Sequence, residues 1–141
     1  MAIETALIAP VIVLLSLGAF QISSMVARQS ELQGAVAEAQ AIALAVDPDT
    51  SEKRQTLREV IMASANLEAD KVSVAAVYRC NDSAAYVTAV SECAANAKVT
   101  SYVKITITDE YEPIWTKFGI KNSIDFNIER YVLFKQATNP A

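Results

Sequence analysis

No histidine occurs anywhere in this sequence, and only two cysteines and three glycines do. Without histidine, a general base would have to be a carboxylate or a lysine. The one dense acidic run, Asp109-Glu110 with Glu112 close by, sits at a strand end and reads as a solvated turn, a weak divalent-cation site at most. Two cysteines with neither histidine nor Cys-x-x-Cys spacing supply no metal-ligand set and no c-type haem site. No glycine-rich phosphate loop or nucleophile elbow is present. The twelve basic residues form no cluster and the net charge is -4, which argues against a nucleic-acid partner. Catalysis, cofactor binding and nucleic-acid binding are therefore not expected.

Charge is also missing from a long internal stretch. Between Glu4 and Arg28 there is none, and those roughly 23 residues, at about 1.5 Å each in a helix, would cross the ~30 Å of a bilayer's hydrocarbon. Past Arg28 the pattern turns amphipathic. Leu32, Val36, Ala39, Ala43 and Val46 recur every three or four residues, the period of one helical face. The two stretches together predict one helix over residues 1–46, about 68 Å long at 45 residues. An apolar rod of that length must pack against other elements or against copies of itself. A secretory signal has a basic start and a short apolar core; this segment has neither, and it reads as a retained anchor. Simple positive-inside counting with Arg28 places the following domain in the cytoplasm, a count that a removed basic leader would change.

Within the rod, Pro10 deletes an amide donor and crowds the Ala6 carbonyl, so a bend or short non-helical break is expected. Gly18, Ser16, Ser23 and Ser24 mark places for close helix approach, although small residues are common in spanning helices generally. Glu4 is the anomaly, since an unpaired carboxylate in hydrocarbon would cost at least ~2.5 to 3.5 kcal/mol. Two readings stand. Glu4 lies in the headgroup layer or favours the helix dipole from the first turn, or it pairs with the free N-terminus of a neighbouring copy inside a bundle of rods.

The remaining residues, 47–141, read as one soluble α+β head. Helix one should end near Asp47-Pro48. Asp49 as N-cap and Glu52 three places on predict a second helix over 50–67, burying Leu57, Val60, Ile61, Ser64 and Leu67 and leaving Lys53, Arg54, Arg58 and Glu59 solvated. Period-two alternation then predicts strands from Val72 to Tyr78, from Val99 to Asp109 and from Ile124. The run from Tyr131 to Phe134 is either buried on both sides or follows a bulge. Residues 138–141 should be loose. A long apolar helix, a second helix and an antiparallel sheet of about three strands make up the expected architecture. Cys80 and Cys93 enclose a loop suited to a disulfide contributing roughly 3 kcal/mol, which would imply an oxidising compartment; two free thiols are the alternative. Asn81-Asp-Ser83 fits a glycosylation acceptor by letter only.

The opening Ile3-Glu-Thr-Ala-Leu-Ile-Ala-Pro-Val resembles the TadE-like pilins of the tight-adherence branch of type IV pili, with Glu4, Ala6, Leu7 and Pro10 matching that family's start. The strand from Val103 to Thr108, the Tyr-x-Pro at Tyr111 to Pro113, the late Arg130 and the paired cysteines have the look of the same family. Two departures are that Glu4 is fourth where pilins usually have it fifth, and that no leader with its glycine is visible. The resemblance implies a structural subunit, processed by a prepilin peptidase. Such a subunit is held in the inner membrane before assembly and polymerises through its N-terminal helix into an extracellular filament used for attachment. It implies Met1, Glu4, Pro10 and Gly18 as assembly residues. Family members also serve as minor pseudopilins that prime or cap a fibre. Outside the family, a monomeric membrane-anchored periplasmic domain binding a partner through its exposed strands or through Tyr102, Tyr111 and Trp115 is the competing expectation.

Overall fold

The structure is a computed structural model describing residues 2–119 and 123–139; the side chains of residues 2–5 and of Phe118 lie outside the description. Helix α1 spans Ala2–Val46, helix α2 spans Ser51–Ala65, and three strands follow: β1 Val72–Cys80, β2 Lys98–Tyr111 and β3 Ile124–Thr138. The strands form one sheet in the order β1-β2-β3, antiparallel throughout. This is the expected α+β layout.

α1 is helical without interruption, Pro10 included. The expected break at Pro10 is absent. One lost donor is outweighed by the intact hydrogen-bond ladder on either side. The second half is alanine-rich, the composition of highest helix propensity, and Ala35, Ala39 and Ala43 let neighbouring elements approach the helix axis. Leu32, Ala35, Val36, Ala39 and Ala43 are buried, whereas Val46, expected on that face, is exposed. The helix stops because Asp47 precedes a proline and takes a left-handed φ of 54°.

α2 starts one residue later than the capping pattern suggested. Thr50, not Asp49, is the N-cap, its hydroxyl accepting from the Lys53 amide at 3.3 Å. Asp49 instead pairs with Lys53 at 2.8 Å. The buried stripe is Leu57, Ile61 and Ala65, spaced four residues apart, with Leu67 buried just beyond the helix end, Ser64 exposed and Val60 half-buried. Asn66 in the left-handed region and a Leu67 N–H donated to the Met62 carbonyl at 3.0 Å close the helix as a Schellman motif. The basic residues expected on a solvated face are tethers instead. Arg54 donates to the Pro48 and Asp49 carbonyls, and Arg58 to those of Val72 and Ala69.

The core lies between the C-terminal half of α1, α2 and one face of the sheet. Leu32, Ile61, Val103, Ile105 and Ile107 are its fully buried centre. Burying each large side chain stabilises by about 1.5–3 kcal/mol before entropy is counted. Ile124, Phe126, Ile128 and Val132 of β3 fall on the core face by register. The faces do not swap at Tyr131. The register shifts one step later, between the Tyr102–Leu133 and Ser101–Lys135 pairs, so Phe134 is the extra residue of a bulge and packs on the core.

A smaller cluster of Cys93, Ala97 and Val99, with Tyr78, Cys80, Val87 and Val90 against it, caps the other end of the sheet. The Cys80–Cys93 disulfide closes it, with Cα atoms 5.4 Å apart. Asn139 pins the chain end to this loop. Its amide donates to the Ala97 carbonyl at 2.8 Å and its side chain to the Cys93 and Ala94 carbonyls. Thr138 and Asn139 are therefore held rather than loose; residues 140 and 141 lie outside the described residues.

Candidate assembly rod and its clamp to the head

α1 is divided by environment, not by shape. From Leu7 to Phe20 its large apolar side chains, Leu7, Ile8, Val11, Ile12, Val13, Leu14, Leu15, Leu17 and Phe20 among them, are exposed. From Leu32 to Ala43 one face is buried in the head. The helix is long and apolar enough to cross a membrane by length and composition.

Two polar side chains of the rod join the halves. Gln21 is 7% exposed, and its Oε1 accepts from the Tyr111 hydroxyl at 2.9 Å and from the Ile114 amide at 3.3 Å. An amide placed in so apolar a stretch is costly unless bonded, and here both acceptor lone pairs are used. One heptad on, Arg28 donates through Nε to Asp109 Oδ2 at 2.7 Å and through Nη1 to Glu31 at 2.9 Å and to the Ala65 carbonyl at 3.0 Å. Burial works against its charge, but the Asp109 and Glu31 carboxylates outweigh that, and the guanidinium pKa is raised. The end of β2, the end of α2 and the rod thus meet at one cation. The acidic run is accounted for in this way: Asp109 is an ion-pair partner, and among the described residues no group of three or more acidic, cysteine or histidine side chains could hold a metal.

Of the expected assembly residues, Glu4, Pro10 and Gly18 fall within α1. Met1 and the Glu4 side chain lie outside the described residues, although the Glu4 backbone is in the first turn of α1. Pro10 is within the exposed apolar half. Gly18 has open space where a Cβ would sit, so a single copy gives no steric reason for glycine. Ser16 and Ser24 donate to the Ile12 and Phe20 carbonyls of their own helix at 2.8 and 3.0 Å.

Tyr102, Tyr111 and Trp115 do not form one patch. Tyr111 bonds the rod, and Trp115 follows it in the 3-10 turn Ile114–Phe118. Tyr102 lies on the opposite, outer face of the sheet, where Tyr86 meets it edge-on at 5.4 Å and stacks on Tyr131 at 4.4 Å. Arg79 and Lys104 sit over Tyr86 and Tyr131. Tyr86 is brought there by the disulfide loop, through a bridge between Tyr78 and Val87. Sequence reasoning missed Gln21; the signal was the one amide in an otherwise uncharged apolar segment, seven residues before Arg28 on the same helical face.

No curated protein matches this chain, and no solved structure does. The family model of TadE-like proteins matches residues 1–40, and over that stretch the chain is similar to that family.

Proposed function

We propose that this chain is a pilus subunit of the tight-adherence type, held in the inner membrane by the N-terminal half of α1 and assembling through that rod into an extracellular filament used for attachment. The observation that carries the reading is the run of exposed apolar side chains from Leu7 to Phe20, on a helix whose other half is spent in the head's core. Such a surface has to be covered, by lipid before assembly and by neighbouring rods after it. The TadE-like match over the same residues supports the choice of family. The open space at Gly18 supports a neighbour's approach there. In a low-dielectric bundle, Glu4 of one copy pairs with the free N-terminus of the next and so sets axial register. The role is structural rather than catalytic. A prepilin peptidase and the pilus machinery are the partners that the reading requires.

A second reading, favoured by the same family match, is a minor pseudopilin that primes or caps a fibre of other subunits. Electron microscopy and N-terminal sequencing of the sheared extracellular fraction separate the two. Fibres composed mainly of this chain support the first, and fibres of another subunit with traces of this one support the second. Glu4→Ala should leave the protein in the membrane and abolish or scramble assembly; normal fibres from that variant would refute the pairing.

A further inference from the structure

β2 runs down the rod as it ends. Its Asp109 meets Arg28 and its Tyr111 meets Gln21, seven residues or about 10 Å nearer the apolar end. The head therefore overhangs the apolar stretch that sequence alone assigns to the membrane as far as Arg28. A bilayer surface at Arg28 would sink Tyr111, the exposed Glu112 carboxylate and the backbone of the following turn about 10 Å into hydrocarbon, where unpaired polar groups are not tolerated. A surface at Gln21 avoids this. A span ending there needs about 20 helical residues to cross the ~30 Å of hydrocarbon, and α1 is helical from Ala2 up to Gln21.

We propose that the turn after β2 is a second membrane contact, lying in the headgroup layer at the level of Gln21. This rests on the membrane-held state under Proposed function. The residue types are those suited to that layer. Ile114 is 41% exposed, Trp115 is half-buried, Lys117 is exposed, and Tyr111 turns its hydroxyl onto Gln21. Aromatic rings with one polar atom favour the boundary between hydrocarbon and water, and a lysine beside them can reach lipid phosphate. The Gln21 hydrogen bonds to the Tyr111 hydroxyl and the Ile114 amide hold the turn at that depth. The unassembled subunit would then touch lipid at two places, the rod and the turn, which fixes the head's tilt over the bilayer.

Trp115 is the sole tryptophan, so the native chain carries its own reporter. The full-length protein is placed in phosphatidylethanolamine–phosphatidylglycerol vesicles containing lipids spin-labelled either near the carbonyl or near the acyl terminus. Trp115 fluorescence should be quenched at least about two-fold more by the shallow label than by the deep one, and little by aqueous iodide, as befits an interfacial ring. In the Trp115→Phe, Leu14→Trp double variant the order of the two lipid labels should reverse. Strong iodide quenching of Trp115 with no effect of either label, while the reporter at position 14 is reached by the deep label, would overturn the contact and leave the membrane-held rod intact. If neither reporter senses lipid, the membrane-held state fails and the contact with it.

Discussion

Arg28 and Asp109 are 81 residues apart in sequence and share a 2.7 Å ion pair between the rod and the end of β2. Both side chains are largely covered, and the Ala65 carbonyl accepts from the same guanidinium at 3.0 Å. Arg28→Ala leaves that carbonyl and Asp109 without their donor and should cost about 1–3 kcal/mol. The double variant Arg28→Ala, Asp109→Ala should cost less than the sum of the two singles, since the orphaned carboxylate is removed too. Urea unfolding of the detergent-solubilised chain, followed at Trp115, measures all three.

Ile61 is fully buried where α2 meets the core. Ile61→Ala should lose about 2–5 kcal/mol, the span set by how far the site collapses. Ser64→Ala, on the exposed side of the same helix, should change stability by less than about 0.5 kcal/mol. A comparison of the two midpoints checks directly which face of α2 is buried.

The disulfide loop carries Tyr86 onto the outer aromatic cluster. Cys80→Ser with Cys93→Ser should lower stability by roughly 3 kcal/mol in the chain-entropy account. It should also loosen the Tyr86–Tyr131 stack, read as a weaker near-ultraviolet circular dichroism signal and faster amide exchange across 81–97.

Inside that loop, Glu92 accepts from the Thr88 hydroxyl at 2.9 Å and from the Ala89 amide at 2.8 Å. The Thr88 hydroxyl, and after it the Ala89 amide, hold its pKa below the ordinary 4.5. A carboxylate depressed by folding stabilises the folded state at all pH values above its ordinary range, and that contribution is lost as the pH falls through the lower folded value. Protection of the Ala89 amide, its exchange relative to the intrinsic rate at each pH, should therefore be flat from neutrality down to the ordinary glutamate range and fall below it. Glu92→Gln should remove that acid dependence.

Gly18 can be enlarged without a clash in the single chain. Gly18→Leu should leave the monomer as stable or up to about 1 kcal/mol more so, through helix propensity, and should reduce or abolish fibres. Thermal melts and electron microscopy of the same preparation separate the two effects.

The rod, its buried stripe and the strands were legible because hydrophobic periodicity reports directly on which face is covered; Leu32, Val36, Ala39, Ala43, Ile105 and Ile107 all follow from it. Errors arose where two residue types compete locally. Asp49 and Thr50 are both good N-caps, one residue apart, and Ser64 and Ala65 both stand at helical spacing from Ile61, at i+3 and i+4. Long-range pairings left almost no local trace. Nothing near Gln21 announces Tyr111, 90 residues away, and nothing near Tyr131 announces Tyr86. Asn139 looked like a free end because its partners lie in a loop 45 residues upstream.

The unbroken course of α1 through Pro10 and past Arg28 has a mechanical meaning. With no joint between the part gripped by the head and the part outside it, a pull on the head travels straight down the axis to the tip, and a twist does the same.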